Sequence, residues 1–130
     1  MLSDNDLTLH LDGLVSSVSA THETISYVRS ILSDGLRNKP GFDLSANSLS
    51  IMHMESILEG NFHNHQRLGD WVMFSHSIFV GETKDSIRQL ELQLAANSYR
   101  ICFNMMREWK IFEELSDKLP QIVQSIYSRR

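Results

Sequence analysis

The chain is short of the residues that make turns, with two prolines (Pro40, Pro120) and six glycines in 130 residues. A many-stranded sandwich or barrel needs turn residues every eight to twelve positions or so, and this sequence does not supply them. A few long elements are therefore predicted. Cys102 is the sole cysteine, which excludes an intramolecular disulfide framework and points to a reducing compartment, the cytoplasm. No apolar run reaches the roughly 18 to 20 residues of a membrane-spanning helix, and Asp4 and Asp6 stand where a secretory signal carries basic residues. Neither membrane insertion nor signal-directed export is predicted. Long blocks of one charge are missing too. The formal charge is -4, and the bases of the second half are interleaved with acids, so no positive stripe exists for nucleic acid to follow.

What is present is apolar periodicity. With 42% hydrophobic and 22% charged residues, the chain has the material to bury a core and lies outside the composition of disordered chains. One domain covering residues 1–130 is expected. Leu7, Leu11, Leu14, Val18, Ile25, Val28 and Leu32 are spaced 4, 3, 4, 7, 3 and 4, with Thr21 on the empty step. That heptad seam predicts helix A over about residues 3–34, with Ser3 as its cap. Gly35 and the run Asn38, Lys39, Pro40, Gly41 form the main turn, because Pro40 drives Lys39 out of helical geometry.

Asp43 or Ser45 caps helix B, expected over about residues 43–80. Gly60 and Gly69 each weaken it, and a break between them is an open alternative. Its last ten residues, Trp71 to Val80, are the most apolar stretch of the chain. Gly81 and Thr83 then start helix C over about residues 83–128, with Ile87, Leu90, Leu94, Ile101, Met105, Phe112, Leu115, Leu119, Ile122 and Ile126 as its apolar positions. No glycine or proline interrupts Asp85 to Leu119, so a kink or break is expected only at Pro120. The predicted fold is all-α: an elongated bundle of three long helices with coiled-coil-like packing, or a long antiparallel hairpin in which B and C form one kinked rod.

The candidate chemistry is thin. His53, Glu55, Glu59, His63 and His65 crowd together, and Glu55, Glu59 and His63 share a helix face at steps of four. A metal or a phosphoaccepting histidine is one reading of them, with His65, Arg67 and Gly69 for the latter; a solvated polar face is the more economical one. Ser75, His76 and Ser77 are adjacent without a nucleophile elbow, and Cys102 sits in an apolar segment as a buried inert thiol would. No catalytic, cofactor-binding or metal-binding residue is assigned, and no enzyme activity is predicted.

The expected function is a non-enzymatic helical protein-interaction module: an adaptor, chaperone or assembly component that binds other protein chains or itself. An immunity or inhibitor protein is a further alternative. A helix apolar around most of its circumference needs cover on several sides, so the 71–80 region is predicted as the interface, anchored by Trp71, Phe74, Ile78 and Phe79. The segments Gly41-Phe-Asp-Leu-Ser and Arg107-Glu-Trp-Lys-Ile-Phe-Glu-Glu-Leu-Ser-Asp-Lys resemble the turn and C-terminal helix of bacterial FliJ and the stalk proteins of type III secretion systems. That resemblance implies an antiparallel helical hairpin and a place in a secretion apparatus. It carries over no functional residue.

Overall fold

The computed structural model describes residues 13, 18–37, 60–78 and 85–129. Four helices with described bounds follow one another: α1 (His22–Arg37), α2 (Phe62–Ile78), α3 (Asp85–Met105) and α4 (Ile111–Arg129). Among the described residues there is no strand. The all-α expectation holds, and the count and lengths of the helices differ from it.

The seam predicted for helix A is interrupted where Thr21 was expected to fill a step. Ser19 has φ 57°, in the left-handed region, and Ala20 and Thr21 are not helical. Thr21 is instead the cap of α1: the Thr24 amide donates to its hydroxyl at 3.4 Å, and the Ile25 amide donates to its carbonyl at 3.0 Å. From there Thr24, Ile25, Val28 and Leu32 are buried on one face. The start of α1 is tied to α4, where Glu114 accepts from the Thr21 amide at 2.9 Å and Lys118 donates to the Ser19 carbonyl at 3.0 Å. α1 also runs through Gly35; residues 38–41 of the predicted turn lie outside the described residues.

Gly60 has φ 59° and is not helical, and α2 begins after it with Asn61 as cap, the Asn64 amide donating to the Asn61 side chain at 2.8 Å. Residues 43–59 and 79–84, with Gly81, lie outside the description. α2 is the central helix: Leu68, Trp71, Val72, Met73 and Phe74 are all buried, as are the polar His65, Asp70, His76 and Ser77 around the same helix.

Helix C is two helices, not one. It ends at Met105, turns through residues 106–110 and begins again at Ile111, while Pro120 lies inside α4. No glycine or proline makes this turn. It is held by a Trp109 amide bond to the Met106 carbonyl (3.0 Å) and by the Trp109 ring, which stacks on Phe112 and meets Phe62 edge-on. Tertiary packing has overridden local helix preference. Pro120 removes one amide from the helix ladder, but it is exposed, and Leu115, Leu119, Ile122, Val123 and Ile126 anchor α4 in the core on both sides of it.

The longest of the described helices has 21 residues, a rise of about 31 Å, where one uninterrupted helix from Asp85 to Leu119 would have risen about 52 Å. α3 returns along α2, since His65 faces Ser98 while His76 faces Glu91. α4 returns along α3, since Arg88 lies over the Tyr127 ring while Arg100 pairs with Asp117. Helices B and C are therefore separate antiparallel elements and not one kinked rod. α1 packs on α2 and α4.

Candidate functional site

Two features of this arrangement stand out: a carboxylate inside the core, and an apolar face outside it.

The carboxylate is Asp70, 9% exposed, at the centre of α2. Tyr27 of α1 donates its hydroxyl to the carboxylate, 2.7 Å from Oδ1 and 2.9 Å from Oδ2. Tyr99 of α3 donates to Oδ1 at 2.7 Å, and the Gln66 side-chain amide donates to the Tyr27 oxygen at 2.9 Å. Phe112 of α4 closes the assembly, edge-on to Tyr27 and tilted against Tyr99. One acid therefore joins α1, α2 and α3 through two phenols. Gly69 makes this possible, because a Cβ there would stand 2.6 Å from the Tyr99 ring.

Burial pushes the Asp70 carboxyl up to about 7, and the hydrogen bonds from Tyr99 and Tyr27 act against that rise. Both phenols are raised well above their ordinary range, by burial first and by the charge of Asp70 second. They are held as donors. Cys102 is also buried; burial and Asp70 push its thiol up to about 12, and it donates to the Phe62 carbonyl at 3.6 Å. A thiol so protonated is inert. A bonded network of this kind fixes which helices pack together; Asp70 and Tyr99 are buried in it, and Tyr27 and Gln66 are half-buried at its edge.

The histidines separate. His63 is exposed, whereas His65 is 6% exposed and faces the Ser98 hydroxyl at 3.5 Å. That inward position does not present His65 as a phosphoacceptor, Gly69 is taken up by the Tyr99 contact, and His53, Glu55 and Glu59 lie outside the described residues. His76 meets Glu91 at 2.9 Å, and Arg88 donates to the His76 carbonyl at 2.9 Å. Burial lowers the His76 pKa more than Glu91 raises it. The Ser75 hydroxyl donates to the Val72 carbonyl, so it is not aimed at His76. Among the described residues no group of three metal-ligating side chains converges.

The predicted interface residues divide as well. Trp71 and Phe74 are 8% and 2% exposed in the chain's own core. The circumference of α2 is covered by α1, α3 and α4, because the turn at residues 106–110 supplies a fourth helix that the sequence reading lacked. In this chain α1, α3 and α4 stand where a second protein was expected. Ile78 closes α2 with its side chain outside the description, and Phe79 lies outside the described residues.

The exposed apolar surface is elsewhere. Leu92, Ala95, Tyr99 and Cys102 form the inner face of α3, all buried. Ile87 and Leu90 point away from it, 48% and 57% exposed, and Met105 is 47% exposed at the other end. Trp109, 46% exposed, borders a groove of about 580 Å³ with Thr21, Glu23, Glu108, Glu113 and Glu114. Glu113 and Glu114 belong to the first turn of α4, where they oppose the helix dipole, and Glu114 is already bonded to Thr21. Glu23 opens α1 in the same way, so three of the groove's acids are accounted for by helix starts. No described helix is long and apolar enough to cross a membrane.

Comparison with protein families, curated proteins and solved structures finds no match for the chain.

Proposed function

We propose that the chain is a non-enzymatic helical protein-interaction module of the cytoplasm, an adaptor, chaperone or assembly component. One observation carries this reading: α3 is apolar on two faces, and among the described residues the other helices bury only one of them. Ile87 and Leu90, one helical turn apart, are about half exposed while the opposite face is sealed. Scattered exposed apolar residues need no explanation, but a regular stripe along one helix is the mark of a binding face. The lone buried thiol agrees with a reducing compartment. A secretion-apparatus component, in line with the resemblance of residues 107–118, is one instance of the reading; an immunity or inhibitor protein is another.

A photo-crosslinking residue placed at Leu90, with Gln121 on the exposed side of α4 as control, tests it in the native host. The reading predicts one defined protein adduct from position 90 and none from position 121. The same diffuse adducts from both positions would contradict it.

A further inference from the structure

The groove beside Trp109 is built by three parts of the chain: the start of α1, the turn at residues 106–110 and the start of α4. Its volume of about 580 Å³ lies within the range, roughly 300–1,000 Å³, of pockets that hold a ligand. Trp109 and Ile111 supply its apolar lining. The Trp109 ring is stacked on Phe112 and met edge-on by Phe62, which fixes it in place, yet it is 46% exposed. An indole held rigid and left half open to water is pre-organised for a flat cationic group.

The same lining is negative. Glu23, Glu108, Glu113 and Glu114 stand against one base, Lys110. A helix start explains why an acid stands there, but each start offsets only about half a charge, and the Arg100 beside Glu113 is shared with Asp117. The rim therefore stays negative. Glu108 opens no helix, and neither it nor Glu23 has an ion pair among the described residues. No three of these carboxylates converge to hold a metal ion. The complement of such a groove is an organic cation with apolar surface beside it. Arginine meets both demands, because its planar guanidinium stacks on an indole, donates to carboxylates around it and carries an aliphatic stem.

We propose that this groove docks an arginine-bearing protein segment, one guanidinium lying on the Trp109 ring with Glu23 and Glu108 as its charge partners and an adjoining apolar side chain covering Ile111. It is a second surface, and it does not rest on the outer face of α3.

A capped hexapeptide, Gly-Leu-Arg-Leu-Arg-Gly, titrated into the full chain tests it, followed by the indole N–H signals of the chain's two tryptophans in NMR. The Trp109 signal should shift and that of the buried Trp71 should not, with Kd below about 1 mM. The same peptide with glutamine for arginine should bind about fivefold more weakly or worse, and so should spermidine, which has charge without an apolar side chain. The double variant Glu23→Gln, Glu108→Gln should weaken binding of the arginine peptide about fivefold or more. Gln121→Lys, Gln124→Lys makes the same change in net charge on the exposed side of α4 and should stay within about twofold of the parent. Circular dichroism of both double variants should be parental. No binding of the arginine peptide, or equal binding of its glutamine counterpart, overturns the proposal. Equal binding of spermidine overturns the protein segment as occupant, and equal loss in the two double variants overturns the groove as the site. The parent's own indole signals decide the site even if a variant fails to fold: binding that shifts Trp71, or neither tryptophan, contradicts it.

Discussion

Tyr99 reaches Asp70 by crossing the backbone of α2 at Gly69, and its 2.7 Å hydrogen bond to the carboxylate depends on that crossing. Gly69→Ala gains helix propensity worth about 1 kcal/mol. It also puts a methyl group 2.6 Å from a ring that is fully buried and has no room to retreat. The steric cost should win, with a net loss of about 1–2 kcal/mol in urea unfolding. A variant more stable than the parent would show that α2 and α3 are not in this close contact.

Asp70 gives the fold a pH dependence of definite sign. The acid has an ordinary value of 3.8 and is raised to about 7 by burial, so the folded chain holds its proton more tightly than the unfolded chain does. Its stabilising contribution is complete below about 4 and is lost as pH rises through about 7. His76 acts oppositely. Burial holds it below its ordinary 6.5, and its contribution is lost as pH falls below that range. Comparing the parent with Asp70→Asn at each pH cancels the histidine. Between about pH 5 and pH 8 the parent should lose on the order of a few kcal/mol relative to Asp70→Asn, measured by denaturant unfolding. Parallel stability profiles would contradict the burial of the charge.

Trp71 and Phe74 are core residues of the isolated chain, at 8% and 2% exposure. Trp71→Ala and Phe74→Ala should each cost about 3–5 kcal/mol of folding stability. Association measured on the folded fraction should be parental. Near-parental melting with lost association would place these side chains at an interface after all.

Much of this architecture was legible in the residues, and the parts that were not have physical causes. The buried positions of α4, Phe112, Leu115, Leu119, Ile122 and Ile126, follow directly from their spacing. Periodicity could not distinguish Thr21 as a seam position from Thr21 as a cap, because a hydroxyl suits both. The turn at residues 106–110 contains no breaker; Trp109 packs there on its near neighbour Phe112 and on Phe62, and the second contact joins distant parts of the chain. Most instructive is α3. Its Ile and Leu residues mark the outer stripe, while the core face is made of Ala95, Tyr99 and Cys102 with Leu92, so hydropathy selected the face that the other described helices do not bury. The Asp70 network was invisible for a related reason: an acid in a helix reads as a solvated residue until its phenol partners are placed.

The central claim is that the outer face of α3 is free in the folded chain and available to a partner. Equilibrium unfolding of the double variant Ile87→Lys, Leu90→Lys, at protein concentrations low enough to keep the parent monomeric, tests this most directly. A face that the chain does not cover tolerates the two charges, and unfolding free energy should stay within about 0.5 kcal/mol of the parent. A loss of several kcal/mol would mean that the chain itself buries Ile87 and Leu90, and the account would be wrong.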